Sequence, residues 1–127
     1  MGRLLAEGGA AVVCGGLGGV MEAACRGAKS AGGATIGILP GADRAAANPF
    51  VDVAVPTGLG EARNALVVRA ADGVIAVGGG YGTLSEIAFA LKAGKRVVGI
   101  GSWDVDGVDP AGSPEEAVET VVRDLTT

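Results

Sequence analysis

Short apolar runs alternate with longer helical segments along almost the whole chain. The runs are four or five residues long and rich in β-branched residues, which is typical of buried strands. They predict strands at Ala10–Cys14, Thr35–Leu39, Val51–Val55, Val74–Val77 and Arg96–Ile100. Helices are predicted at Val20–Ser30, Leu59–Ala71, Leu84–Ala93 and Pro114–Leu125. Residues 40–49 are polar and bounded by prolines, so they predict a loop.

This alternation predicts an α/β fold with a doubly wound parallel sheet. Parallel strands need right-handed crossovers, and the crossover helices then cover both faces of the sheet. At 127 residues the chain has the size of a single domain, residues 1–127. It opens in Gly2–Glu7, which has the character of the end of a helix, whereas a doubly wound domain opens with a strand. We therefore expect the sheet to lack its first strand.

The last predicted helix has a clear start signal. Ser113 is placed to cap its first turn, Pro114 suits the first helical position, and Glu116 completes a capping box. Just before this helix, the segment Trp103–Val108 contains Asp106-Gly107, a pair that favours positive φ. A tight hairpin or loop is predicted there.

Composition limits which residue types can build the core and which classes of partner the chain can bind. Hydrophobic residues make up 49% of the chain and aromatic residues only 3%, so the core must be built from Val, Ile, Leu and Ala. Such an apolar excess in a small chain favours buried subunit contacts, and we expect a homodimer or higher homo-oligomer. The net charge of −4, the lack of a basic patch and the few aromatic rings argue against nucleic acid as a partner.

The chain contains no histidine, which excludes Ser-His-Asp and Cys-His catalysis and removes the commonest metal ligand. Its two cysteines, Cys14 and Cys25, are too few for a structural zinc site, and no metal site is expected. Both are predicted to be reduced, packed thiols in a reducing compartment. The sequence shows neither a signal peptide nor an apolar stretch of about 18 residues, so a cytoplasmic location without membrane contact is predicted.

The strongest internal signal is a pattern of strand, Gly-Gly-x-Gly and helix that occurs twice. The candidate ligand-binding residues of the first copy are Gly15, Gly16, Gly18 and Gly19. Those of the second copy are Gly79, Gly80, Tyr81, Gly82 and Thr83. Neither copy is a Walker motif, because no Gly-Lys-Ser/Thr follows, and neither is a clean dinucleotide fingerprint.

Backbone geometry connects these turns to phosphate. Glycines permit positive φ and carry no Cβ, so backbone N–H groups can converge on an anion, and the following helix adds unpaired N–H groups and the positive end of its dipole. The alternative is that the glycines only make tight turns. Glu86 also has two interpretations: it completes a capping box with Thr83, or its carboxylate, beside a phosphate site, acts on a ribose.

The sequence from Gly79 to Glu86, GGYGTLSE, resembles the Gly-Gly-x-Gly-Thr-x-x-Glu signature of the Lonely Guy (LOG) superfamily. This group contains cytokinin-activating phosphoribohydrolases, proteins once mislabelled as lysine decarboxylases, and molybdenum-cofactor carrier proteins. Residues 60–64 (GEARN), 39–41 (LPG) and 15–21 (GGLGGVM) are most similar to the carrier-protein branch. The resemblance covers nearly the whole chain.

The resemblance implies a Rossmann-like sheet, a homodimer and a phosphate held by the glycine motif. In the family's phosphoribohydrolases an arginine and the motif's glutamate act on the N-glycosidic bond of a nucleoside monophosphate, and Arg63 and Glu86 match these positions. The chain departs from those enzymes at Gly78, where they have proline, and at Asn64, where they have lysine. In the family the first strand lies in the middle of the sheet and helps to bind the ligand.

Three functions stay open at this point. The first is a binding protein for a phosphorylated nucleotide-like ligand, similar to a molybdenum-cofactor carrier, with Arg63 and Asn64 at the ligand and no cofactor required. The second is a phosphoribohydrolase in which Glu86 acts on the ribose or its leaving base and Arg63 orients the phosphate. The third is a non-catalytic dimeric scaffold with a vestigial pocket, which the missing first strand favours.

Overall fold

The computed structural model describes residues 1–125, and the backbone divides into two compact units, Met1–Val67 and Val68–Thr127. Each unit contains one three-stranded sheet, and the strand pairs of both sheets are parallel. Helices and strands alternate along the chain. The predicted α/β class with parallel strands is therefore confirmed. The single domain over residues 1–127 stays a prediction.

The first unit has a sheet with the strand order β1-β2-β3. Its strands are β1 (Val12–Cys14), β2 (Thr35–Leu39) and β3 (Val53–Pro56). Its helices are α1 (Gly2–Glu7), α2 (Val20–Ser30) and the start of α3 (Arg63–Ala70). Short 3₁₀ turns lie at Arg44–Ala46, within the predicted loop, and at Gly60–Ala62, just before α3.

Glycines let α1 and α2 pack in close contact. A Cβ on Gly2 would overlap the carbonyl of Ala24 and lie 2.9 Å from the nitrogen of Ala28. A Cβ on Gly27 would lie 3.0 Å from the nitrogen of Arg3. The contact between these helices therefore requires glycine at position 2, whereas a Cβ at position 27 would push the helices apart by a few tenths of an ångström. Helix α2 begins directly after the first glycine turn.

The second unit has a sheet with the strand order β4-β5-β6. Its strands are β4 (Gly73–Val77), β5 (Arg96–Ile100) and β6 (Val108–Pro110). Its helices are α4 (Tyr81–Lys92) and α5 (Pro114–Leu125). No helix within residues 1–125 combines the length and the apolar character that crossing a bilayer requires.

Neighbouring residues of the central strand β5 belong to different halves of the second unit's core. Val97 packs in one cluster with Ile87 of α4, and Val98 packs in another with Val121 of α5. Because successive side chains of a strand point to opposite faces, α4 and α5 cover the two faces of this sheet. This is the doubly wound arrangement that the sequence predicts.

One strand and two helix starts differ most from the prediction, while the bounds of β1, β3 and β4 differ by one or two residues. The strand β6 was not predicted, and it pairs parallel with β5, so the segment before it is a loop and not a hairpin. Helix α4 begins at Tyr81 and not at Leu84, because Gly80 adopts an extended conformation and forms the N-cap. Helix α3 begins at Arg63, after the 3₁₀ turn.

The predicted cap of α5 is present. The backbone N–H of Glu116 donates to Ser113 Oγ at 3.1 Å. Glu116 Oε2 accepts from the backbone N–H of Gly112 at 3.0 Å, one residue before the position expected for a capping box. The start of this helix is therefore fixed by the residues that the sequence indicated.

Candidate functional site

The second glycine turn follows β4 at the carboxyl edge of the second unit's sheet. Gly78 has a φ of +82° and donates its N–H to the carbonyl of Ile100 at 3.3 Å, so the turn is fastened to the end of β5. Proline cannot adopt this φ, because its ring fixes φ near −65°. The glycine that replaces the proline of the LOG enzymes is therefore required by the path of this backbone.

Five consecutive backbone donors follow. The N–H groups of Gly79–Thr83 donate no hydrogen bond within the described part of the chain. The next N–H, that of Leu84, donates to the carbonyl of Gly80 at 3.1 Å, and α4 has no side-chain cap. The turn thus offers unpaired donors at the positive end of a helix dipole, an arrangement that suits a phosphate group.

Gly79 and Gly80 are not required by packing. A Cβ at either position would meet no atom within 4 Å, and neither residue has a positive φ. What glycine provides here is an uncovered backbone, which fits a ligand that approaches the amides closely. The tight-turn interpretation describes Gly78, whereas the anion interpretation is favoured for Gly79 and Gly80.

Thr83 and Glu86 both lie inside α4, as its third and sixth residues. The capping box considered for this pair is therefore wrong, because the N-cap is Gly80, three residues earlier. Both side chains are half-buried. Residues three positions apart share a helix face, so Glu86 lies on the same side of α4 as Thr83, one turn further from the helix start.

The loop after β5 contacts this turn, although the sequence predicted only a hairpin or loop there and no role in binding. The indole N–H of Trp103 donates to the carbonyl of Gly80 at 3.1 Å. The indole stacks with the ring of Tyr81, with centroids 6.0 Å apart and planes inclined by 25°. Tyr81 is 84% exposed, so an aromatic ring stands at the surface beside the unpaired amides.

Two adjoining cavities lie at the same carboxyl edge of the sheet. The first, about 330 Å³, is lined by Gly79 and by the loop residues Gly101, Ser102, Trp103 and Asp104. The second, about 400 Å³, shares those loop residues and extends along β6. Ser102 Oγ is buried and has no hydrogen-bond partner among the described residues. In the sequence, one feature could have indicated this part of the site. It is the single tryptophan, Trp103, which follows a predicted strand at the edge where parallel sheets bind ligands.

The first half of the first glycine turn is built into the fold. Gly16 is buried and has a φ of +77°, and a Cβ there would lie 2.8 Å from Leu39 Cδ2. Its N–H donates to Cys14 Sγ at 3.4 Å, and its carbonyl accepts from the N–H of Asn48 at 2.8 Å. The tight-turn interpretation therefore describes Gly16.

The second half of that turn is exposed and resembles the second turn. Gly19 has a φ of +66° and is the N-cap of α2, and a Cβ on Gly18 would meet no atom within 4 Å. In residues 1–125 the N–H groups of Gly18, Gly19 and Val20 donate no hydrogen bond. This segment is a second set of unpaired donors at a helix start.

Arg63 and Asn64 lie beside the first turn, at the start of α3. A Cβ on Gly15 would lie 2.6 Å from Arg63 Nη2 and 2.7 Å from Cζ, so the guanidinium lies against the α-carbon of Gly15. Arg63 Nη1 donates to Asn64 Oδ1 at 2.8 Å, while Nε is buried without a hydrogen-bond partner in the described residues. The structure brings Gly15, Arg63 and Asn64 together in the first unit, and Glu86 belongs to the second.

Cys14 and Cys25 are free thiols in the first unit, with their sulfur atoms 3.6 Å apart. Burial raises the pKa of the Cys25 thiol to about 12, and the adjacent Cys14 contributes to the increase. This thiol therefore stays protonated at neutral pH. Within residues 1–125 no three His, Cys, Asp or Glu side chains are grouped so that they could hold a metal ion.

A family model matches residues 1–124, and that model describes the SLOG cluster4 family. The chain belongs to this family. A SLOG cluster4 assignment confirms the relationship to the LOG superfamily that the glycine motif indicated. The chain is also 50% identical over 119 residues to an uncharacterized protein of Archaeoglobus fulgidus, a match that covers 93% of this chain and 78% of that protein.

Solved structures of molybdenum-cofactor proteins are similar to this SLOG cluster4 chain. The molybdenum cofactor binding protein from Rippkaea orientalis matches with a TM-score of 0.91 and 42% identity, over 99% of this chain and 83% of that one. The molybdenum cofactor carrier protein from Chlamydomonas reinhardtii matches with a TM-score of 0.89 and 37% identity, over 99% and 84%. The resemblance to the carrier-protein branch is confirmed.

Proposed function

We propose that this SLOG cluster4 protein is a carrier-like binding protein for a phosphorylated small molecule, with the molybdenum cofactor as the first candidate and a nucleoside monophosphate as the second. One observation carries the proposal: the five N–H groups of Gly79–Thr83 have no acceptor among the described residues and stand at the start of α4. Residues 79–82 are exposed, and unpaired N–H groups at the positive end of a helix dipole form a ready binding site for an anionic group. The names of the similar structures support the choice of ligand.

The first glycine turn and Arg63 belong to the same proposal. The exposed donors of Gly18 and Gly19 and the guanidinium of Arg63 supply positive potential within the first unit. A guanidinium binds carboxylate or phosphate through its fork of N–H groups, and Nε of Arg63 is a donor without a partner among residues 1–125. We assign Gly18, Gly19 and Arg63 to ligand binding on this basis, with Gly15 and Asn64 as the residues that position the guanidinium. Gly16, whose N–H and carbonyl are paired inside the fold, is assigned to the turn itself.

The proposal also covers the oligomeric state, the cellular location and the class of partner of the protein. We propose a homo-oligomer, most simply a homodimer, that works in the cytoplasm on a small molecule and not on nucleic acid or membranes. Large apolar side chains that remain exposed on α3 and α4, Leu66 at 38% and Phe89 at 45%, support a subunit contact. Sedimentation equilibrium tests the oligomeric state.

Calorimetric titration tests the ligand proposal. The titrants are molybdenum cofactor released anaerobically from a molybdoenzyme, AMP and ribose 5-phosphate. Wild type is compared with the double variant Gly79→Ala, Gly80→Ala, whose added methyl groups meet open space and so leave the fold intact but cover the amides. The control is Gly112→Ala, in which the Cβ meets only Glu116 Oε2 at 3.5 Å.

We expect wild type and the control to bind at least one titrant, and the double variant to bind it about tenfold or more weakly, a loss of ~1.4 kcal/mol or more. Equal affinity in the double variant would remove the amides from the site. Failure of wild type to bind any of the three titrants would overturn the proposed function.

A phosphoribohydrolase activity is the second candidate, and the position of Glu86 favours it. Glu86 lies on the same face of α4 as Thr83, one turn from the unpaired amides at the helix start. Incubation with AMP should then release adenine and ribose 5-phosphate. Glu86→Gln should abolish the release and leave AMP affinity nearly unchanged, whereas Glu115→Gln, at an exposed position of α5, should retain full activity. Turnover that persists in Glu86→Gln would exclude this residue from the reaction.

A further inference from the structure

We infer that the cavity beside the second glycine turn binds the flat heterocycle of the ligand, and that Asp104 selects rings whose edge carries N–H donors. The edge with the best match is the 2-amino-4-oxo edge that guanine and pterins share. The inference rests on the proposed function, because the phosphate at Gly79–Thr83 would place the rest of the ligand. It adds the recognition of the ring, which the glycine motif does not provide.

The position of the cavity is the first argument. Gly79 belongs both to the unpaired amides and to the cavity lining. A ligand anchored by its phosphate at the turn therefore reaches the cavity directly. The volume of about 330 Å³ lies within the range of small-molecule pockets, roughly 300–1,000 Å³.

The aromatic pair is the second argument. Trp103 packs against the buried cluster that contains Ile87 and Val97, and its N–H is held by the carbonyl of Gly80, so the orientation of the indole is fixed. Tyr81 stacks with it and keeps 84% of its surface exposed. Of this pair, Trp103 lines the cavity, and an indole held in a fixed orientation there favours stacking with a planar heterocycle.

The polar atoms of the cavity lining are the third argument. Ser102 also lines the cavity, but its Oγ is buried and not exposed to it, so the polar recognition of a ring is left to Asp104. Asp104 is exposed and lines both cavities. An ionised carboxylate only accepts hydrogen bonds, and its two oxygens match two adjacent N–H donors on the edge of a ring.

The test compares phosphorylated ligands that differ in the ring edge or in the presence of the ring. Wild type, Asp104→Asn and the control Asp106→Asn are titrated with GMP, IMP, ribose 5-phosphate and neopterin 3′-monophosphate. IMP lacks the 2-amino group of GMP, and ribose 5-phosphate lacks the ring. Asp106 is also exposed but does not line either cavity, so its variant controls for the change in charge.

We expect wild type to bind GMP and the pterin about tenfold or more tightly than IMP, and IMP more tightly than ribose 5-phosphate. Asp104→Asn should lose most of the preference for GMP over IMP and keep its affinity for ribose 5-phosphate, while Asp106→Asn should behave as wild type. A preference for the pterin over GMP would identify a pterin as the source of the shared edge, and the reverse preference would identify guanine.

Two outcomes would overturn the inference, and they differ from failure of the proposed function. Equal affinity of wild type for GMP, IMP and ribose 5-phosphate would show phosphate binding without ring recognition. An unchanged GMP-to-IMP ratio in Asp104→Asn would remove Asp104 from ring selection. Absence of binding for every phosphorylated probe would instead overturn the phosphate site on which the inference depends.

Discussion

The guanidinium of Arg63 lies against the α-carbon of Gly15, so close that a Cβ on Gly15 would be 2.6 Å from Nη2. Gly15 does not have a positive φ, and its backbone conformation alone would therefore accept a side chain. What a side chain at this position would displace is the guanidinium of Arg63. The first glycine turn thus contains a residue whose missing side chain makes room for a charged group of α3.

Gly15→Ala should displace the guanidinium of Arg63 while costing little stability, because the end of an arginine side chain can move. We expect the unfolding free energy to fall by less than about 1.5 kcal/mol. The ¹H–¹⁵N resonance of Arg63 Nε should shift clearly. Gly18→Ala is the matched control, since its Cβ meets no atom within 4 Å and Gly18 also lacks a positive φ. An unperturbed Arg63 resonance in Gly15→Ala would contradict the observed contact.

Much of this fold follows from local patterns in the sequence. The strands β2 and β5 have the predicted bounds, because each is an apolar run that ends at a glycine or proline turn. The strand β6 was missed because only Val108 among its residues is partly buried, and Asp109 and Pro110 have no strand pattern. The early start of α4 was missed because glycines disfavour helix, whereas Gly80 in the N-cap position overrides that preference.

The candidate site was only half visible in the sequence. A Gly-Gly-x-Gly turn indicates unpaired backbone N–H groups, because this property depends only on residues that are neighbours in the sequence. The unpaired N–H groups are present at Gly79–Thr83. Trp103 and Asp104 join the turn through the pairing of β4 with β5 and through one hydrogen bond to Gly80. Neither contact produces a periodic pattern in the sequence, so only the three-dimensional fold shows that this loop lies beside the glycine turn.

Lys95 caps the carboxyl end of α3. Its Nζ donates to the carbonyls of Val68, Arg69 and Ala71 at 2.6, 3.0 and 2.5 Å. Lys95→Met keeps most of the aliphatic stem and removes these charge-assisted bonds, so we expect a loss of about 1–3 kcal/mol in the free energy of unfolding by urea. Lys92→Met, at an exposed position in the last turn of α4, should change it by less than about 0.5 kcal/mol. Equal effects of the two substitutions would contradict a capping role.

Cys25 should resist alkylation in the folded protein. Its side chain is fully buried and its pKa is raised to about 12, whereas the thiolate is the reactive form. In a Cys14→Ser variant, iodoacetamide at pH 8 should modify folded Cys25 at least about a hundredfold more slowly than the urea-unfolded chain. Mass spectrometry measures both rates, and comparable rates would show that the thiol is not enclosed as described.

The raised pKa of the Cys25 thiol predicts how the stability of the protein depends on pH in the alkaline range. The ordinary value for a thiol is 9.0, so between pH 9 and 12 the unfolded chain loses this proton while the folded chain keeps it. The contribution is fully present below pH 9 and is lost as the pH rises toward 12. The midpoint temperature of thermal unfolding, Tm, should therefore fall more steeply above pH 9 for wild type than for Cys25→Ala. Parallel curves would contradict the raised pKa.

Asp52 predicts the opposite dependence at acid pH. Its Oδ2 accepts from Lys29 Nζ at 2.9 Å and from the backbone N–H of Thr35 at 3.0 Å, and the bond from Lys29 is the main cause that lowers the pKa of this carboxyl below 3.8. Because the folded form binds its proton less readily than the unfolded chain, the contribution to stability is present above about pH 4 and is lost as the pH falls through the lowered pKa.

Asp52→Asn should therefore be less stable than wild type at pH 7 and approach it at pH 2, in urea unfolding curves measured at both values. Asp72→Asn, at an exposed position before β4, should leave the acid dependence of wild type intact. A constant stability difference between Asp52→Asn and wild type from pH 7 to pH 2 would show that the Asp52 carboxylate does not stabilise the start of β3 through its charge.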